Sequence, residues 1–90
     1  MIDYKIKEEV IIHTDEYYYT IIRKNIKNLR KKNGLTQQDL ADLTNISREY
    51  ICDVENESRN KHITIAFLGR IADALETDIS YFFEEHDEKK

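Results

Sequence analysis

Apolar residues recur at helical spacing along most of this chain. Tyr18, Ile22, Ile26 and Leu29 make the clearest one-sided stripe and predict a long amphipathic helix. Its opposite face carries Arg23, Lys24, Lys27, Arg30, Lys31 and Lys32. Thr14 or Asp15 can cap its start, with Glu16 in the first turn, and Lys31 and Lys32 suit the negative end of the helix dipole. Asn33-Gly34 ends it, because glycine takes the left-handed conformation without a Cβ clash. The run Tyr17-Tyr18-Tyr19 must turn at least one ring outward, a mild sign of a contact surface.

Two short helices follow within residues 35–56. Thr36 with Asp39 three positions on is a capping-box pattern, with Asp in place of Glu. Leu40 and Leu43 are expected inward, and Ala41 is small enough for a neighbouring helix to approach. Thr44-Asn45 makes the turn, since Asn tolerates left-handed angles best after glycine. Ile46 packs inward and Ser47 caps the next helix, which runs to Glu55 or Asn56 with Ile51 and Val54 buried. Arg48, Glu49, Cys52 and Asp53 point away from the core. After a polar loop, ESRNKHI, Thr64 caps a fourth helix with the stripe Ile65, Leu68, Ile71, Ala72 and Leu75. Gly69 inside it costs about 1 kcal/mol relative to alanine and is read as permitting close packing. Thr77 or Asp78 opens a last short helix that turns Ile79, Phe82 and Phe83 onto the core, and EEHDEKK trails off as a solvated tail.

The first dozen residues break this pattern. Tyr4, Ile6, Val10 and Ile12 alternate as in a strand, while Ile2, Ile6 and Val10 also fit a helix. β-Branched richness favours a strand or extended arm. No second strand signal is visible, so a strand here would pair with its copy in another subunit; the alternative is a frayed tail. The expected organisation is an all-α, five-helix domain over residues 15–83, an N-terminal arm over 1–14 and an acidic tail over 84–90.

Composition agrees with a small helical domain. The chain has 90 residues, no proline and two glycines, too few turn residues for a β-sandwich or barrel. The single cysteine, Cys52, excludes an internal disulfide and a CxxC metal site. Met1–Val10 carries five charged residues and does not read as a secretory leader, and no apolar run approaches the ~20 residues needed to span a membrane. The expected compartment is the cytoplasm. Net charge is −4, yet residues 1–18 carry −3 (two Lys, five acids), 19–75 carry +3 (ten Lys/Arg, seven acids) and 76–90 carry −4 (two Lys, six acids). A basic centre lies between acidic ends, and it is the local patch that meets a phosphate backbone.

The second helix of the 35–56 pair begins Ser47-Arg48-Glu49-Tyr50. An exposed helix fits the major groove of B-DNA, where Arg can grip guanine and Glu can accept from cytosine; a good bidentate pair is worth roughly 1–3 kcal/mol of discrimination. Gln37 and Gln38 open the partner helix, whose first-turn amides attract anions, and Asn56, Ser58, Arg59, Asn60 and Lys61 follow the reading helix within reach of the same backbone.

Residues 22–83 resemble the phage-repressor/Cro-type helix-turn-helix family, also called the XRE family. The matching residues are Leu35-Thr36-Gln37, Leu40-Ala41, Ile46-Ser47, Tyr50-Ile51, Glu55, Arg59-Asn60 and Leu75. The resemblance implies five helices and a DNA-binding dimer, with Gln37 on phosphate, Arg48, Glu49, Tyr50 and Cys52 towards bases, and Asn56, Arg59 and Asn60 on phosphate or bases. Ser58-Arg59-Asn60 followed by Ile63-Thr64-Ile65 is also similar to controller proteins of restriction–modification systems.

The expected function is a sequence-specific DNA-binding transcriptional regulator, a repressor binding a two-fold operator in double-stranded DNA as a homodimer. The alternative is a protein-interaction module, antitoxin-like or an adaptor, whose acidic ends and tyrosines meet a protein partner. Bland readings stand beside the sharp ones: a lysine-rich helix face is commonly just solvated, Asp53 would repel phosphate and so pairs with a basic neighbour, and Cys52 is a small filler more readily than a redox switch. His13, His62 and His86 lack metal-ligand spacing, and no nucleophile–base pair or phosphate-cradling glycine loop is present, so no metal, no cofactor and no enzymatic activity are expected.

Overall fold

Every helix begins where a side-chain oxygen can take up a free amide of the first turn. A computed structural model describes residues 4–7 and 10–86. Among them are strands β1 (Tyr4–Lys7) and β2 (Val10–His13), then helices α1 (Asp15–Lys32), α2 (Gln37–Thr44), α3 (Arg48–Glu55) and α4 (Ile65–Ala74). Two 3-10 turns, Glu57–Arg59 and Ile79–Phe83, flank α4 in sequence. The Thr14, Ser47 and Thr64 hydroxyls accept from the amides of Tyr17, Tyr50 and Phe67 at 3.2, 3.0 and 3.2 Å. At α2 the box is reciprocal: the Asp39 amide donates to Thr36 Oγ1 (3.0 Å) and the Thr36 amide to Asp39 Oδ2 (2.9 Å). Gly34 (φ 72°) and Asn45 (φ 58°) take the left-handed conformation at the two helix ends where the sequence placed it.

The core is built from all four helices: Ile22 and Ile26 of α1, Leu40 and Ala41 of α2, Ile51 and Val54 of α3, Leu68, Ile71 and Ala72 of α4, closed by Ile46, Ile63, Leu75 and Phe82. Several expectations change. On α1, Tyr18 is exposed (44%), while Tyr19 packs against the core and Ile21 is buried. Positions 18 and 19 both border the Ile22 stripe, and the loop carrying His62 stands over Tyr19. Leu43, expected inward, is 60% exposed, because α2 turns Leu40, Ala41 and Thr44 to the core. Thr44 can be buried there because its hydroxyl donates to the Leu40 carbonyl at 2.7 Å. Ile65 is 66% exposed at the start of α4. A Cβ added at Gly69 would meet no atom within 4 Å, so close packing is not what places a glycine there.

Arg23 and Arg30 leave the expected solvated basic face and are buried. Both flank the apolar stripe on the side facing α3, where groups distant in sequence receive them. Lys24, Lys27, Lys31 and Lys32 remain exposed.

The fifth helix is a 3-10 turn rather than an α-helix. Its carbonyls are taken by α1: the buried Asn25 amide nitrogen lies 3.3, 3.0 and 2.8 Å from the carbonyl oxygens of Tyr81, Phe82 and Glu84. That latch seats Phe82, which is fully buried. The chain does not become a free tail at residue 84. The Tyr17 hydroxyl donates to Glu85 Oε2 (2.6 Å), and His86 Nε2 is 2.8 Å from the Tyr81 carbonyl. The rest of the expected tail, residues 87–90, lies outside the described residues.

The arm is a strand pair, not a single strand awaiting another subunit. β1 and β2 run antiparallel, with Tyr4 opposite His13 and Lys7 opposite Val10. The alternation counted straight through residues 4–12 conceals two short strands that pair with each other.

Candidate nucleic-acid interface

Residues 37–55 form two helices held at a fixed angle by local chemistry. The left-handed Asn45 breaks the chain after α2, and Ile46 is buried with its amide on the Ala41 carbonyl (3.3 Å). Ser47 then starts α3, whose inner face, Ile51 and Val54, lies in the core. Arg48 and Glu49 are exposed at its N-terminal end, Tyr50, Cys52 and Asp53 are half-buried, and Glu55 is buried. An open cleft runs between the two helices, floored by Ala41 and Ile46 and edged by Gln38, Asp42, Asn45, Ser47 and Arg48. The Gln38 amide donates to Asp42 Oδ1 at 2.9 Å, which fixes its orientation on the cleft wall. Asp42 escaped the sequence reading, although an i, i+4 Gln–Asp pair on a helix is a recognisable signal.

The far end of α3 is anchored by a buried ion pair. Glu55 accepts from Arg30 Nε (2.8 Å) and Nη2 (2.9 Å), a two-pronged contact, and from Gln37 Nε2 (3.0 Å). Arg30 Nη1 donates to the Leu35 carbonyl at 2.7 Å. The hydrogen bond to Glu55 raises the Arg30 pKa above its ordinary value against the lowering effect of burial. Arg23 Nε adds a bond to the Val54 carbonyl (3.2 Å). The Arg30–Glu55 pair thus ties α1, the α1–α2 turn, the start of α2 and the end of α3 together. Gln37, the expected phosphate ligand, has its amide nitrogen committed to this cluster.

The loop after α3 is folded back on itself. The Asn56 side-chain oxygen accepts from the Ser58 amide (3.0 Å) and hydroxyl (2.7 Å), capping the first 3-10 turn. Arg59 Nε lies 3.7 Å from Asp53 Oδ1, the basic neighbour expected for that carboxylate. Lys61 Nζ stands 4.9 Å over the Tyr50 ring. The Tyr50 ring meets Phe67 edge-on, and its hydroxyl accepts from the Thr64 amide (3.4 Å). Asn60, in a left-handed conformation (φ 54°), turns towards α1 instead of outward. Gln38, Ser47 and Arg48 are therefore brought together at the cleft with Glu49 exposed beside them. Arg59 and Lys61 hold the surface of α3, Tyr50 and Asn60 face other helices, and Cys52 is a half-buried free thiol. Among the described residues no cluster of His, Cys, Asp and Glu could hold a metal ion, and no helix is long and apolar enough to cross a membrane.

Two capped helices joined through a left-handed asparagine, the second exposed at its N-terminus, define a helix-turn-helix. The HTH_3 helix-turn-helix family model matches residues 26–82, and the chain belongs to that family of transcriptional regulators. It is 36% identical over 59 residues to the control protein C.SmaI of Serratia marcescens, covering 66% of this chain and 68% of that protein. The same identity over 59 residues relates it to the immunity repressor protein of Bacillus phage phi105, with 66% of this chain and 40% of the repressor covered. Among solved structures, an HTH_3 family transcriptional regulator from Vibrio cholerae superposes with a TM-score of 0.70 and 37% identity, covering 78% of this chain and 38% of that one. The chain thus spans well under half of the phage repressor and of the Vibrio regulator.

Proposed function

We propose that the chain represses transcription by binding a two-fold operator as a homodimer, with α3 in the major groove. The observation that carries this reading is the contrast along α3. Its inner face and C-terminal end are locked by the core and by Glu55, while Arg48 and Glu49 stand exposed beside an open cleft. A rigid helix with unengaged polar groups at its N-terminus is what base reading requires. In this reading Arg48 pairs with guanine and Glu49 with the cytosine amino group. The α2 N-terminus with Gln37 and Gln38 approaches phosphate, as do Ser58, Arg59 and Lys61. The exposed lysines of α1 add longer-range attraction. The name of one relative, a control protein, supports regulation, and that of another, an immunity repressor, supports repression. Such a protein works in the cytoplasm, where its operator is.

Selection of duplexes from a random pool, with the binding followed by fluorescence anisotropy, tests the reading. A two-fold consensus with half-sites about one turn apart, roughly 34 Å, is expected. Arg48→Ala should cost about 1–3 kcal/mol on that consensus and relax one base position in each half-site. A pool that never enriches, or an Arg48→Ala variant with unchanged affinity and consensus, refutes it.

A further inference from the structure

The polar groups around the first turn of α1 are explained neither by the core nor by a direct DNA contact. Glu16 is half exposed, yet three groups converge on its carboxylate. The Asn60 side-chain amide, in the orientation that satisfies its neighbours, donates to Oε2 at 2.6 Å and to Oε1 at 3.3 Å. His62 Nε2 lies 3.7 Å from Oε1, and the same imidazole stacks flat on Tyr19, centroids 3.8 Å apart and planes within 1°. Arg23 Nη2, buried and without a hydrogen bond, lies 3.9 Å from Oε2.

These contacts come from the loop between α3 and α4. Within four consecutive residues the side chains divide: Arg59 and Lys61 go to Asp53 and Tyr50 of α3, and Asn60 and His62 go to Glu16 and Tyr19 of α1. Asn60 itself takes the left-handed conformation within this stretch. We infer that Glu16 is a positioning residue for the DNA interface: it clamps Asn60 and His62 to α1 and so fixes the height of Ser58, Arg59 and Lys61 beside α3. Asn60 is then part of the clamp and not a phosphate ligand. The inference rests on the DNA-binding reading above.

The clamp and simple electrostatics give opposite signs. A carboxylate that only repelled phosphate would, on removal, strengthen binding. A clamp, on removal, weakens it. Expected are losses of about three- to tenfold for Glu16→Ala and for Asn60→Ala, uniform across sequences, with the salt slope reduced by about 1. The double variant should lose no more than either single one, because both break the same contact. Glu16→Gln, which keeps an acceptor for Asn60, should retain near-original affinity.

The clamp is also read without DNA. In Glu16→Ala the Asn60 side-chain amide resonances should shift, and amide exchange at residues 59–62 should speed up while the core amides stay protected. Tighter or unchanged binding by Glu16→Ala, with Arg48→Ala and Lys61→Ala both weakened, overturns the clamp and leaves the DNA-binding reading standing. If Arg48→Ala and Lys61→Ala are without effect as well, the DNA-binding reading fails, and the amide measurements decide the clamp alone: unchanged resonances and exchange overturn it.

Discussion

Replacing Glu55 by glutamine changes almost no volume, so its cost reports the buried charge and its hydrogen bonds rather than packing. The Arg30 side chain is 8% exposed and that of Glu55 2%, and the carboxylate accepts three hydrogen bonds. In Glu55→Gln the Arg30 guanidinium keeps the Leu35 carbonyl but loses its counter-charge, and it cannot shed its proton. Removing one partner of such a pair costs about 3–5 kcal/mol. A domain of this length is stable by roughly 5–13 kcal/mol, so the variant is destabilised by a large fraction of the total and its melting point falls by at least about 12 °C. Replacing both partners by apolar residues is different. Arg30→Met with Glu55→Leu removes both charges and leaves the Leu35 carbonyl without its partner, a cost of about 1–3 kcal/mol, while the half-buried Gln37 amide can turn to water. Urea unfolding followed by far-UV circular dichroism measures all variants on one scale. A single-variant cost below about 1 kcal/mol would show that the pair is solvated and does not anchor α3, and a double variant worse than Glu55→Gln would show that an orphaned charge is not the source of the single-variant cost. Anisotropy on the same proteins adds a second reading: if Gln37 approaches phosphate as proposed, the double variant should regain stability but not DNA affinity, because Gln37 has lost its anchor.

Two further outcomes follow from packing. Gly69→Ala should stabilise the protein by about 0.4–1 kcal/mol, seen as a higher melting temperature, since the helix accepts a Cβ without contact and the unfolded chain loses freedom. The two α2 leucines should part company under urea: Leu40→Ala costs about 2–5 kcal/mol, and Leu43→Ala stays within about 0.5 kcal/mol.

The features legible in the sequence are those written within a few residues of one another. Caps at Thr14, Thr36, Ser47 and Thr64 and the left-handed Gly34 and Asn45 depend on neighbours at most four positions away, and residue type alone signals them. The helix-turn-helix followed from these and from the apolar stripes. The features without a local signal depend on partners far along the chain. Arg30 looks like a surface cation until Glu55, 25 residues on, supplies a buried counter-charge. Asn25 holds the 3-10 turn across more than 50 residues, and the Glu16–Asn60 contact has no local signal at all. Leu43 and Tyr18 depart from the expected stripe for another reason. A helical stripe is wide enough for either of two adjacent positions to face inward, and the neighbour that decides comes from another element. The hairpin has little sequence signal because its two strands are each only four residues long.

The division along α3 bears on how such a protein can change its target. Among the described residues, the exposed Arg48 and Glu49 side chains make no hydrogen bond or ion pair, so under the proposed reading substitutions there can change base preference at little cost to folding. Gln37 has no such freedom, since its amide is wired into the Arg30–Glu55 pair and any replacement also disturbs stability. Variation among descendants of this chain should therefore concentrate at the first turn of α3 and spare the first turn of α2, letting binding preference diverge while the scaffold stays the same.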